Sequence, residues 1–189
     1  MGKVIAIANQ KGGVGKTATS ANLGIALARL RKKVLLIDGD VQADLTKSLG
    51  YREPDEISET ISTLMVDIIE DRDFDHKKGV LHHQEQVDLL PLNIELAGIE
   101  VSLINVMSRE TILKRYVDKQ RKYYDFIIID CMPSLGMLTI KSLVSADQVI
   151  IPVQAAYLPV KGLQQLIRTV GKAAKAYMAM TDEVLFDEK

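Results

Sequence analysis

The seven residues Lys11-Gly12-Gly13-Val14-Gly15-Lys16-Thr17 constrain this chain more than any other stretch. They lie between an apolar run, Lys3–Ala8, and a segment from about Lys16 to Leu30 in which Leu23, Ala26, Leu27 and Leu30 recur at helical spacing. Glycine lets such a loop wrap closely, its N–H groups point inward, and the helix that starts there adds the positive end of its dipole. The result is an anion nest at a helix N-terminus. In that geometry the backbone of Gly12, Gly13, Val14, Gly15 and Ala18 cradles phosphates, Lys16 reaches the β- and γ-phosphates, and the Thr17 hydroxyl ligates Mg²⁺. A plain glycine-rich turn would not need the Gly-Lys-Thr ending. The loop departs from the general phosphate-loop pattern at Gln10, where glycine is usual, and a second lysine, Lys11, opens it. Lys11 is not needed to hold phosphates within one subunit. A lysine there could instead reach a nucleotide on a facing molecule, which would couple nucleotide binding to dimerisation.

Four further apolar runs follow: Val34–Ile37, Val87–Leu90, Phe126–Ile129 and Val149–Val153. None alternates cleanly with polar residues, which predicts strands buried on both faces. Helical patterns over Ile94–Met107, Arg109–Lys122, Leu135–Val144 and Val160–Ala179 lie among them. This order predicts an α/β fold, a mostly parallel central sheet with helices on both faces. A length of 189 residues fits one domain, and 47% hydrophobic residues suffice for its core. The net charge of −1 provides no global field toward nucleic acid. One cysteine, Cys131, excludes an internal disulfide, and the apolar start is too short for a signal peptide or membrane span. A cytoplasmic protein is expected.

Charge is unevenly spread. Arg52 to Asp75 holds nine acidic and two basic residues; Arg109 to Lys122 holds six basic and two acidic. Solvated helix faces are the favoured reading of both, over binding surfaces. His82-His83 with Glu85 is read as a surface turn rather than a metal site, because adjacent histidines point apart and no third ligand is well spaced.

Asn9-Gln-Lys-Gly-Gly-Val-Gly-Lys-Thr17 resembles the deviant Walker A motif of the ParA/Soj partition ATPases, within the wider ParA/MinD group. Val34-Leu-Leu-Ile-Asp-Gly-Asp-Val-Gln42 is similar to that family's segment ending Asp-x-Asp-Pro-Gln. Tyr124-Asp-Phe-Ile-Ile-Ile-Asp-Cys-Met-Pro-Ser-Leu-Gly136 resembles its Walker B strand and following loop, and Ile151–Tyr157 its strand end near the nucleotide. The motifs stand in family order and reach to about Ala176.

The resemblance implies a P-loop ATPase that takes ATP/ADP and Mg²⁺ and acts as a nucleotide switch in plasmid or chromosome partition. It implies a homodimer with ATP, in which Lys11 contacts the partner's nucleotide, and a ParB-like centromere-binding partner that stimulates slow hydrolysis. Lys16 and Thr17 then serve the chain's own phosphates and metal, and Asp40, in switch I, orients the attacking water. Asp38 organises the metal environment, and Asp130 holds Mg²⁺ through a water. Carboxylates at the carboxyl ends of parallel strands meet where the phosphates sit, which agrees with these roles. Val41 replaces the usual proline and Ala43-Asp44 the more usual Gly-Asn, departures that bear on hydrolysis rate more than on binding.

Residues 1–176 are expected to form the ATPase domain and 177–189 an acidic tail. Relatives continue with further strands and helices that carry the DNA-binding residues, so the expected fold lacks those C-terminal strands. Non-specific DNA binding and nucleoid association then need substitutes, either Arg109–Lys122 or the helix bearing Lys161, Arg168, Lys172 and Lys175. A membrane-bound division regulator is disfavoured by the acidic tail, and an Fe–S carrier by the single cysteine. The alternative class is a non-enzymatic nucleotide-binding module, or a truncated regulator forming mixed dimers with a full-length relative.

Overall fold

Runs of Val, Ile and Leu too apolar for a half-exposed strand stack side by side in the centre of the molecule. The computed structural model describes residues 1–93, 111–134 and 136–153. Among these, β1 (Lys3–Ile7), β2 (Val34–Gly39), β3 (Leu81–His82), β4 (Asp88–Leu90), β5 (Phe126–Cys131) and β6 (Gln148–Ile150) form one sheet in the order β3-β4-β2-β5-β1-β6. All neighbours are parallel except β3, which runs antiparallel to β4. Every residue of β2 is buried, as a strand covered on both faces requires.

The two faces carry separate apolar layers. On one, Val4, Ala6, Leu35, Ile37, Ile127 and Ile129 pack under α3 (Ile61–Ile69), α4 (Ile112–Gln120) and α5 (Met137–Ser145). On the other, Ile5, Ile7, Leu36, Leu89 and Ile128 pack under α1 (Lys16–Arg29) and α2 (Asp44–Ser48). The expected α/β fold with a mostly parallel sheet and helices on both faces is therefore the fold that forms.

Details differ from expectation. The helix α3 and the short α2 and β3 were not expected. Ile61, Leu64, Met65 and Ile68 recur at helical spacing and are all buried, and Thr60 caps the helix through a reciprocal pair with Thr63. Those signals were hidden in a stretch that stands out for its acidity. The expected strand Val149–Val153 shortens to Gln148–Ile150, since Pro152 lacks a ladder N–H. The predicted helices over 94–107 and 160–179, the tail 177–189 and most of the 151–157 motif lie outside the described residues.

Both charged stretches stay largely solvent-exposed, as expected, but many of their charges pair with one another across the fold. Arg115 pairs with Asp71 at 2.7 Å and Lys119 with Asp73 at 2.7 Å, stitching α4 to the loop after α3. Arg121 grips Asp147 at 2.6 and 3.0 Å and also donates to the carbonyls of Gly2 and Ser145, tying the end of α4 to the starts of β1 and β6. Lys114 pairs with Asp118. Among the described residues, Arg109–Lys122 thus spends four cations internally, which weakens its case as a DNA surface.

Candidate nucleotide site

The chain leaves β1 at its carboxyl end and turns through the glycine loop into α1. Gly13 (φ 69°) and Gly15 (φ 87°) hold left-handed conformations that disfavour any residue with a Cβ. A Cβ added at Gly12, Gly13 or Gly15 would meet nothing within 4 Å, so the loop wraps open space. Gly15 caps α1 with no side-chain hydrogen bond, and no acidic residue sits in the first turn. The first intrahelical bond runs from Thr19 N–H to the Gly15 carbonyl at 2.9 Å. The amides before it, through Ala18, have no intrahelical carbonyl, the condition under which a helix N-terminus takes an anion. Val14 is half-buried on the loop, and Ala18 is exposed in the first turn.

Asn9 fixes where the loop starts. Its side-chain oxygen accepts from Lys11 N–H at 2.9 Å, and its amide donates to the Pro152 carbonyl at 2.7 Å. Lys16 is buried, and its ammonium donates a long 3.4 Å bond to the Lys11 carbonyl, a weak tether that a phosphate can displace. The Lys11 side chain is exposed.

The carboxylates arrive from the neighbouring strands. Asp38 on β2 and Asp130 on β5 are direct register partners. Gly39 follows because a Cβ there would lie 2.5 Å from the Asp130 carbonyl. Asp130 Oδ1 accepts from Ser20 on α1 at 2.9 Å, whereas Oδ2 is buried with no hydrogen-bond partner. Burial raises Asp130 to about 6, and Thr17, Ser20 and the Lys16 charge pull it back down. A buried, orphaned carboxylate oxygen close to the Thr17 hydroxyl is a hard-oxygen donor set of the kind Mg²⁺ takes.

Asp38 is spoken for. Its Oδ2 accepts from both the hydroxyl (2.6 Å) and the N–H (2.9 Å) of Thr46, and its Oδ1 from Asp40 N–H at 3.2 Å. Burial still pushes it up to about 7. Asp40 Oδ1 accepts from Gln42 N–H at 3.0 Å in a tight turn, and Asp40 is only 9% exposed. The turn ends at Ala43, which caps α2 with φ 51°, a left-handed position held without glycine. Cys131 is buried and its thiol is pushed up to about 12 by burial, so it is an inert core residue. The expected surface turn holds only in part: His82 lies on β3, and His83 directly precedes the turn to β4, its Nδ1 accepting from Glu85 N–H at 3.2 Å.

Site reasoning from sequence missed Asn9, Ser20 and Thr46 as organising residues. Asn9 was legible as part of its motif. Ser20 and Thr46 were not, because one sits a helical turn past the loop and the other eight residues past Asp38.

A parallel sheet with an anion-ready helix N-terminus, a buried loop lysine and carboxylates at the adjoining strand ends defines a nucleotide-binding P-loop protein of deviant Walker A type. A family described as an AAA domain matches residues 2–182. The sporulation initiation inhibitor protein Soj of Bacillus subtilis is 47% identical over 90% of this chain and 65% of its own length. The chromosome partitioning protein ParA of Myxococcus xanthus is 40% identical over 90% of this chain and 58% of its own. A Mycobacterium smegmatis structure titled cobyrinic acid a,c-diamide synthase, with ATP analogue and magnesium, superposes with TM-score 0.85 at 39% identity, covering 93% of this chain and 69% of that one. A Borrelia burgdorferi structure titled putative plasmid partition protein, bound to AMPPNP, gives TM-score 0.73 at 31% identity over 90% of this chain and 70% of that one. The chain belongs to the ParA/Soj family of P-loop ATPases. It spans less than two thirds of the length of those two curated relatives. No helix among the described residues is long and apolar enough to cross a membrane.

Proposed function

We propose that this chain is an ATP-dependent dimerising ATPase that acts as a nucleotide switch in plasmid or chromosome partition. The observation that carries this reading is the open phosphate loop with Lys16, Thr17, Asp40 and Asp130 gathered at one end of the sheet. The likeness to a chromosome partitioning protein and to a plasmid partition protein, and neighbours solved with ATP analogue, ADP and magnesium, support it.

Phosphoryl transfer to water asks a protein mainly for positioning and charge neutralisation. Lys16 leaves the Lys11 carbonyl for the β- and γ-phosphates, and the amides from Gly12 to Ala18 take the remaining oxygens. Thr17 and Asp130 would hold Mg²⁺, Asp130 through a water, with Asp38 organising the surrounding backbone. When bound, Mg²⁺ neutralises charge on the phosphates. Asp40 keeps Gln42 N–H on Oδ1 and has Oδ2 to orient the attacking water. Lys11 reaches a second subunit's nucleotide, so that ATP bridges a homodimer, and a ParB-like protein accelerates the hydrolysis that releases it. Non-specific DNA is the surface on which such a switch works, in the cytoplasm at the nucleoid.

The test is the molar mass of Asp40→Ala by light scattering after gel filtration. A dimer with MgATP and a monomer with MgADP are expected. A monomer in both, with nucleotide bound, overturns the switch. A second reading, a nucleotide-binding module without turnover, rests on switch I, where Val41 and the left-handed Ala43 depart from the family pattern. It predicts nucleotide binding with no phosphate release.

A further inference from the structure

The end of the sheet opposite the phosphate loop holds a cavity of about 770 Å³ at the amino ends of β2, β4 and β5. A five-residue strand at about 3.3 Å per residue separates the two ends by roughly 16 Å. Five cations line the cavity, Arg31, Lys32, Lys33, Lys77 and Lys122, all exposed. Among the described residues none of the five is in an ion pair. The contrast with Lys114, Arg115, Lys119 and Arg121, all paired, is sharp. The nearby acids are engaged: Asp88 takes His82 Nδ1 at 2.6 Å and the Tyr124 hydroxyl at 2.8 Å, Asp125 takes Lys33 N–H at 2.9 Å, and Asp75 lies 3.3 Å from His76.

Two further features are not those of a solvated basic rim. Tyr123 is 43% exposed and stacks on His76 with ring centroids 3.9 Å apart, which fixes a flat aromatic face on the cavity wall. Asp88, held by buried Tyr124, puts a fixed hydrogen-bond acceptor among the cations. Moreover, Arg31 (φ 61°) makes the left-handed turn after α1 that glycine makes most easily, which leaves a guanidinium on the rim.

We infer that this cavity binds a nucleotide-type ligand: phosphate groups on Arg31 and the four lysines, a base against Tyr123, and a base or sugar donor on Asp88. Free charge pairs phosphate, a fixed ring stacks any base, and the acceptor adds a polar contact. The site is separate from the phosphate loop and does not depend on it. The same chemistry is offered by a free nucleotide and by a single strand of nucleic acid.

The experiment uses the full chain carrying Lys16→Ala, which weakens nucleotide binding at the phosphate loop, and titrates GTP by calorimetry and a labelled short oligothymidylate by anisotropy. Binding of either probe is expected, weakening as salt rises. It should fall at least tenfold in Lys33→Ala/Lys122→Ala, fall severalfold in Tyr123→Leu, and stay unchanged in Arg52→Ala, an exposed cation elsewhere. GTP binding assigns a free nucleotide; binding of the oligonucleotide alone assigns a nucleic-acid strand. No binding of either probe, or binding indifferent to the Lys33/Lys122 and Tyr123 variants, overturns the site. Circular dichroism of each variant separates a lost site from a lost fold.

Discussion

Thr46 closes on Asp38 with two donors on one oxygen, its hydroxyl at 2.6 Å and its backbone N–H at 2.9 Å. Asp38 in turn accepts from Asp40 N–H, so the start of α2, the end of β2 and the proposed water-orienting carboxylate form one hydrogen-bonded unit. Thr46→Val keeps shape and removes the hydroxyl. It should cost about 1–3 kcal/mol, since a buried carboxylate loses its shortest partner. Urea unfolding checks this, with Thr46→Ser expected to recover most of the loss. Phosphate release should slow in the valine variant while nucleotide affinity holds.

The two loop lysines separate binding from assembly. Lys16 is buried beneath the loop, and Lys11 is exposed at its start. Lys16→Ala should weaken MgATP and MgADP binding at least tenfold, which corresponds to about 1.4 kcal/mol or more. Lys11→Ala should leave MgADP affinity within about twofold and abolish the ATP-dependent dimer. Calorimetry and light scattering measure the two effects. An unchanged dimer in Lys11→Ala would remove that lysine from the interface.

The buried carboxylates make stability depend on pH in a stated direction. Burial raises Asp38 to about 7 and Asp130 to about 6, above the 3.8 of a free Asp. The folded chain holds protons that the unfolded chain releases, so between about pH 4 and pH 7 stability falls as pH rises. Asp67 and Asp147 are lowered by Lys78 and Arg121, and their contribution is lost only below the ordinary carboxylate range. The nucleotide-free chain should therefore melt higher at about pH 5 than at about pH 7.5, and Asp130→Asn should flatten the difference. Mg²⁺ needs the ionised carboxylate, so MgADP affinity should drop below about pH 6.

The sequence carried the sheet, α1 and the phosphate loop because each depends on local signals: apolar runs, helical spacing, and glycine beside lysine. Asp40 and Asp130 were legible as strand-end carboxylates within family motifs. What escaped depends on distance. The pairing of Arg115 with Asp71 joins residues 44 apart, so both stretches looked like free charge. Ser20 meets Asp130 from 110 residues away, a contact that only the parallel register of β1 and β5 creates.

Ala43 is the position in switch I where sequence and backbone disagree most. Its φ of 51° places a Cβ where L-residues lose about 1–2 kcal/mol, and it caps α2 without a side-chain bond. Ala43 N–H donates to the Asp40 carbonyl at 2.8 Å, so strain there acts directly on the turn that aims Asp40. Glycine relieves the clash and costs about 0.5–1 kcal/mol in backbone entropy. Ala43→Gly should therefore leave global stability nearly unchanged or slightly raised. The native turn should then be held with less strain, and phosphate release should rise severalfold with nucleotide affinity constant. Paired urea titrations and single-turnover phosphate release measure both. Destabilisation by more than about 1 kcal/mol would mean that the Ala43 methyl, in a residue only 2% exposed, contributes packing that outweighs the backbone strain.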